Sequence, residues 1–404
     1  MDEQRQQAYL ELVKALLECE GGTEDYILQS HPELVDEGLV KTLYGVATML
    51  VEKLAEKNST VQVSTIQWLM NLANQLAQRL KLDAEPLSVV SFMVTVYQTI
   101  MENDGDPHVV YRLFQDNLHL LNEQLILILP VITRHSFGEL NKNDKQLLTE
   151  LMFRFANLIG QFPLGSRLIN MEIAITVYHL ILEVLTFDTS PEKWATTQMN
   201  LGTILQARIR GNRADNLENA IACYQMVLKV YPRKAYPEQW AMTQMNLAIP
   251  YLHRIHGERA VNLEESIACS RLALEVCTRE AYPELWATTQ RNLANAYWSR
   301  IRGERAMNLE KSISCSLLAL EIYNRETYPE IWAMTQMNMA NAYSNRIQGE
   351  RAANLEESIK CYRLALEIQS REAYPEGWAK TDEFSFCLSV SNLGGTGDKF
   401  RRID

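Results

Sequence analysis

Trp194, Trp240, Trp286, Trp332 and Trp378 stand 46 residues apart, and a fixed period of that length constrains the fold more than any other property of the chain. Pro191, Pro237, Pro283, Pro329 and Pro375 keep the same interval, as do Gly211, Gly257, Gly303 and Gly349, and Cys223, Cys269, Cys315 and Cys361. Each unit parses into two helices. The first, helix A, opens at the proline of Tyr-Pro-Glu, where a missing N–H costs nothing and an acidic side chain meets the positive helix end. In the third copy it runs from Pro283 to about Ile301, with Trp286, Leu293, Tyr297 and Ile301 on one face. Gly303 ends it, and Asn308 reads as the N-cap of a second helix, helix B, that places Leu309, Ile313, Leu317 and Leu320 on one stripe and ends near Asn324. A pair of such helices cannot bury both faces by itself, so neighbouring pairs must stack.

The expected fold is therefore all-α: a right-handed α-solenoid of extended, 46-residue helix pairs, preceded by an irregular helical N-terminal domain. Complete repeats cover 191–236, 237–282, 283–328 and 329–374. Gly165, one period before Gly211, with Asn170, Glu172 and Ile175 in register, marks a degenerate repeat over 144–190, with Leu148 in the tryptophan position. A partial unit over 375–381 is followed by an irregular tail, 382–404. The first 140 residues lack the period but carry apolar stripes, among them Leu10, Val13, Leu16 and Leu17, with breaks at His31-Pro32, Gly105-Asp106-Pro107 and Pro130.

Asn292-Leu293-Ala294-Asn295-Ala296-Tyr297, followed by Ser312 and by Ala319-Leu320-Glu321-Ile322, resembles the tetratricopeptide repeat. The period of that family is about 34, and the additional residues here fall in the Arg-Gly-Glu-Arg loop and around Tyr328-Pro329. Extended repeats similar to those of kinesin light chains fit better than the short form. HEAT repeats overlap the period without these signatures. The wording of the unit, with MDEQRQQAYLELVKALL and FPLGSRLINMEIAI, also resembles the repeat region of bacterial, especially cyanobacterial, proteins in which a caspase-like CHAT domain with a His/Cys dyad follows the repeats. After the repeats this sequence has one cysteine, Cys387, and there is no histidine after His256, so the peptidase activity does not carry over. A regulatory half of such a peptidase system stays open beside a stand-alone scaffold.

The resemblance implies a concave groove lined by the A helices and a protein or peptide partner. Asn200, Asn246, Asn292 and Asn338 then occupy the groove wall, where an amide both donates to and accepts from an extended backbone. Thr203, Ile249, Asn295 and Asn341 flank it one turn on. The same asparagines are equally suited to bonding between neighbouring helices. Trp194, Trp240, Trp286 and Trp332 are expected in the core, with a loss of about 3–5 kcal/mol on truncation to Ala. Arg208, Arg254, Arg300 and Arg346 are expected to close helix A and pair with Glu258, Glu304 or Glu350 in the next loop. Pro250 inside a helix A is expected to kink it.

Charge narrows the partner. Lys and Arg number 39 against 50 Asp and Glu, a net charge of −11, which disfavours nucleic acid and anionic membrane. No apolar run approaches the about 20 residues of a membrane span, and the first residues lack the pattern of a secretory signal. Seven cysteines without a C-x-x-C pair indicate neither a disulfide framework nor a zinc site. Gly394-Gly395-Thr396-Gly397-Asp398-Lys399 has the wrong spacing for a phosphate loop, and Asp104-Gly105-Asp106-Pro107 reads as a turn. The expectation is a cytoplasmic, non-enzymatic protein without cofactor or metal.

Overall fold

The computed structural model describes residues 3–19, 23–43, scattered positions between 46 and 80, and 89–368. The expected partial unit at 375–381 and the tail at 382–404 lie outside the described residues. Among the described residues every regular element is a helix, and none is long and apolar enough to cross a membrane. The chain divides into two units, Met1–Asn200 and Leu201–Asp404. The boundary expected near residue 140 falls inside the first.

In the first unit, helices α1 (Glu3–Glu18) and α2 (Glu24–Ser30) precede α3 (Val89–Glu102), α4 (Pro107–Asp116), α5 (Glu123–Glu139), α6 (Lys142–Gln161) and α7 (Arg167–Val184). Tyr9, Leu12, Val13 and Leu16 are the buried side of α1, whereas Leu10 and Leu17 are exposed; the apolar stripe is rotated from the expected one. Tyr9 donates to Asp36 and accepts from Arg5. Asp106, Asn122, Asn141 and Ser166 cap α4 to α7 with their side chains, satisfying amides that no helical carbonyl reaches. The expected break at Pro130 does not occur. The proline sits within α5, where burial of Leu125, Ile128 and Leu129 outweighs one lost backbone bond. The pair α6–α7 has the geometry of a repeat: Gly165 has φ +76°, and Asn170 donates to the carbonyls of Phe162 and Leu164.

Helix α8 (Pro191–Ala207) crosses the boundary between the units. The second unit continues with α9 (Arg213–Val230), α10 (Pro237–His253), α11 (Arg259–Leu274), α12 (Pro283–Ser299), α13 (Arg305–Leu320), α14 (Pro329–Ser344) and α15 (Arg351–Leu366). Helix A packs on its own helix B, each B on the next A, and successive A helices touch, as in an α-solenoid of helix pairs. Close approach is a matter of small side chains. Ala241, Ala287 and Ala333 on A, with Ala273 and Ala319 on B, are fully enclosed. Ser266 and Ser358 on B donate across the seam to the carbonyls of Ala248 and Ala340, both at 2.8 Å.

Several expected core positions are displaced by this arrangement. Trp194, Trp240, Trp286 and Trp332 are half-buried, with Trp240 and Trp286 packed against the alanine clusters. They sit in the first turn of helix A, beside and not inside the contact, so their truncation falls below the range for enclosed aromatics. Leu317 and Ile301 are exposed at 48% and 61%, because the B stripe toward its neighbours runs through Leu309, Ser312, Ile313 and Ala319. Pro250 is buried within α10, which continues past it to His253.

The turn between A and B carries the connection from one repeat to the next. Gly211, Gly257, Gly303 and Gly349 adopt φ near +80°, a conformation only glycine takes without strain. Asn308 is not a cap; α13 begins at Arg305, with Glu304 in the N-cap position. Asn308 is buried and donates to the carbonyl of Arg302 at 2.9 Å, across Gly303. Asn216, Asn262 and Asn354 repeat the bond. The arginines that close helix A do not pair with the loop glutamates. Arg254, Arg300 and Arg346 form two-pronged bonds of 2.7–2.8 Å with Glu218, Glu264 and Glu310 on helix B of the preceding repeat. Arg300 and Arg346 also reach Asn308 and Asn354, both at 3.3 Å.

These hydrogen bonds from Arg254 and Arg300 hold the carboxyls of Glu218 and Glu264 below the ordinary value of 4.5. A carboxyl depressed in the folded state adds stability above its unfolded pKa, and that stability disappears as pH falls through the folded one. We expect Glu264→Gln to lower stability at pH 7 by about 1–2 kcal/mol, the scale of a hydrogen bond to a charged group. Below pH 4.5 the urea midpoint of the wild type should converge on that of the variant. Parallel pH profiles would place the pair outside the stabilising network.

Candidate functional site

The side of each A helix turned to solvent is set by the enclosed positions. In α12, Ala287, Thr289, Gln290, Leu293, Ala294 and Ala296 are buried, leaving an open stripe of Glu284, Thr288, Arg291, Asn295 and Trp298. The steps of four and three are those of one helix face. Glu238, Met242 and Ile249 hold the same stripe in α10, and Glu330, Met334, Met337 and Asn341 hold it in α14.

The two amide series read from the sequence occupy different places. Asn295 and Asn341 are half-exposed on the stripe and Thr203 is exposed on its own helix. Two of these positions also face helix B: Tyr362 donates to Asn341 Oδ1 at 2.6 Å, and Thr203 shares a hydrogen bond of 3.1 Å with Tyr224. Asn200, Asn246 and Asn338 are half-buried, and Asn292 is buried at 7% exposure. Asn200 donates to Asn157 Oδ1 at 2.7 Å, one helix A to the preceding one, and Asn157 also accepts from Tyr178. This series therefore begins as a seam between neighbouring A helices. Asn292 Nδ2 is buried without a partner. The period puts Ile249 opposite it where Asn157 stands opposite Asn200, and an isoleucine accepts nothing.

A cavity of about 570 Å³ opens on the stripe across three consecutive repeats, lined among others by Glu238, Met242, Leu285, Thr288, Tyr323 and Ile331. Tyr323 donates to the carbonyl of Glu284 at 2.9 Å and is bonded to Thr288, while Tyr328 is bonded to the Glu284 carboxylate. These bonds position an aromatic wall beside two acidic side chains in the first turns of α10 and α12. The signal for it lay in the sequence as the repeated Tyr-Pro-Glu, which had been read only as a helix start.

The periodic cysteines offer no chemistry. Burial pushes the Cys223, Cys269 and Cys361 thiols up to about 12 and Cys315 up to about 11, so the reactive thiolate is suppressed at neutral pH. Among the described residues no cluster of His, Cys, Asp or Glu is arranged to hold a metal ion.

The difference between seam and stripe is measurable. Asn200→Leu removes a satisfied bond and should cost about 0.5–1.5 kcal/mol in urea unfolding, whereas Asn292→Leu relieves an unsatisfied donor and should be neutral or stabilising. Equal losses at both positions would contradict the assignment.

Residues 194–230 match the tetratricopeptide repeat family. No curated protein matches the chain. The matched segment runs from Trp194 in α8 to the end of α9, one complete helix pair, so the chain contains a tetratricopeptide repeat and continues it at a 46-residue period.

Proposed function

We propose that the chain is a non-enzymatic interaction scaffold that binds a peptide or protein segment along the open side of its A helices. Tetratricopeptide repeats generally mediate protein–protein contacts, and one is present here. The observation that carries the reading further is the cavity shared by α10, α12 and α14. A site assembled from three repeats suits an elongated ligand running across them. Met242, Met334 and Met337 give the surface adaptable apolar contacts, and the half-exposed amides of Asn295 and Asn341 supply donors and acceptors for a ligand backbone. In this reading Asn200, bonded to Asn157 of the preceding helix A, serves the stack, and Asn246, Asn292 and Asn338 lie in the same register, off the stripe that meets the ligand. The net charge of −11 keeps nucleic acid and anionic membrane out of the proposal.

A library of random twelve-residue peptides displayed on phage, panned on the full chain, tests this. Binders should be recovered, and a Met242→Glu/Met334→Glu double variant should lose them by about tenfold or more, since a charge buried against apolar contacts is strongly disfavoured. Ile301→Glu, in the exposed turn after α12, is the control and should retain them. Loss with Ile301→Glu and retention by the double variant would move binding to the turns.

A further inference from the structure

Arg291 is a departure from the repeat that the fold does not use. The equivalent residues of the other complete repeats are Met199, Met245 and Met337, so the position is built for an unbranched apolar side chain. Arg291 Nε is buried without a hydrogen-bond partner, and no carboxylate pairs with the guanidinium among the described residues. In contrast, Arg254, Arg300 and Arg346 each hold a glutamate at 2.7–2.8 Å. Burial lowers the Arg291 pKa, with Tyr323 opposing it. Guanidinium nonetheless stays charged at neutral pH. A cation withdrawn from water with no counter-charge is destabilising, and an apolar residue of similar size is better tolerated in such a place.

The surroundings specify what would complete it. Arg291 lies on the open stripe, one turn from Thr288 at the cavity and one turn from Asn295. Its equivalents on the flanking A helices are methionines, and Met245 packs in a cluster with Leu285. The site is thus a half-buried cation whose Nε–H is enclosed without an acceptor, on a face whose neighbouring copies carry methionine. A carboxylate flanked by apolar groups answers both features, through a bidentate pair of the kind Arg forms readily.

We propose that Arg291 receives the side-chain carboxylate of an aspartate or glutamate in the bound segment, with apolar neighbours of that residue lying on the methionines of α10 and α14. This rests on the A-helix face being the binding surface, and it names the residue that selects among ligands there. The acidic surface of the rest of the chain repels acidic segments in general, so such selection is local and works only for a segment docked in register.

The same displayed library separates the two claims. Displayed peptides are joined to the phage through their C-terminus, so only side-chain carboxylates are available. Sequences selected on the wild-type chain should be enriched in one Asp or Glu next to apolar residues. Selection on Arg291→Met, which restores the residue of the other repeats, should lose the acid while Arg291→Lys keeps it in part. In a synthetic peptide taken from the selection, replacing the acid by its amide should weaken binding to the wild type by about tenfold or more, as for a close buried charge pair. The same replacement should make no difference on Arg291→Met, whose thermal midpoint should equal or exceed that of the wild type. Binders without acid enrichment, or acid dependence that persists in Arg291→Met, would overturn the assignment of Arg291 and leave the scaffold reading intact. A library that yields no binders would remove both.

Discussion

The two-pronged bond between an arginine at the end of one helix A and a glutamate at the start of the preceding helix B is the contact on which the regularity of the array depends. Arg300 spans from Glu264 in one repeat to Asn308 in its own, and Asn308 in turn ties down the turn around Gly303. A single side chain thus sets the spacing between repeats and the shape of the turn within one. The pairs are 22–32% exposed. They are neither the freely solvated ion pairs that contribute almost nothing nor fully desolvated ones. In a stacked array stability is close to a sum over neighbouring interfaces, so a contact repeated at every interface acts on the whole.

With the turns fixed in this way, the A helices can vary without loss of register. Contacts inside the stack combine alanine, serine and threonine with leucine, isoleucine and tyrosine at enclosed positions, which leave little room for change. The open stripe carries methionine, isoleucine, threonine, arginine and asparagine at equivalent positions. Variation on this face suits the proposed role in binding, because a segment lying along it would meet a different residue at each step. Arg291 is the extreme case, a charge where the other copies have an apolar chain.

Much of the architecture could be read directly. The period, the helix pairs, the proline starts and the glycine turns follow from local chemistry: a proline favours a first turn, and a left-handed backbone position selects glycine. The degenerate helix pair around Gly165 was legible for the same reason. Leu317 and Ile301 share a helical face with buried residues yet are exposed, and Trp240 and Trp286 pack at the margin of the core, because periodicity identifies a face without saying which neighbour it meets. The enclosed positions between A and B are Ala287, Ala319 and Ser312 together with Leu293, Leu309 and Ile313, while Leu317 and Ile301 turn outward.

The amides and ions show where reading along the chain stops. The sequence by itself determined that the chain is a stack of like helix pairs, because backbone preferences and apolar spacing act over a few residues. Only the tertiary structure decided that Arg300 pairs with Glu264 and not with the nearby Glu304, and that Asn292 lies in a seam while Asn295 faces out. Those outcomes depend on groups brought together from different repeats, and on a rotation of one residue about a helix axis. That rotation is what separates the enclosed face of a helix from its open one, and the Asn-Leu-Ala-x-x-Tyr signature that announced the repeat does not distinguish the two.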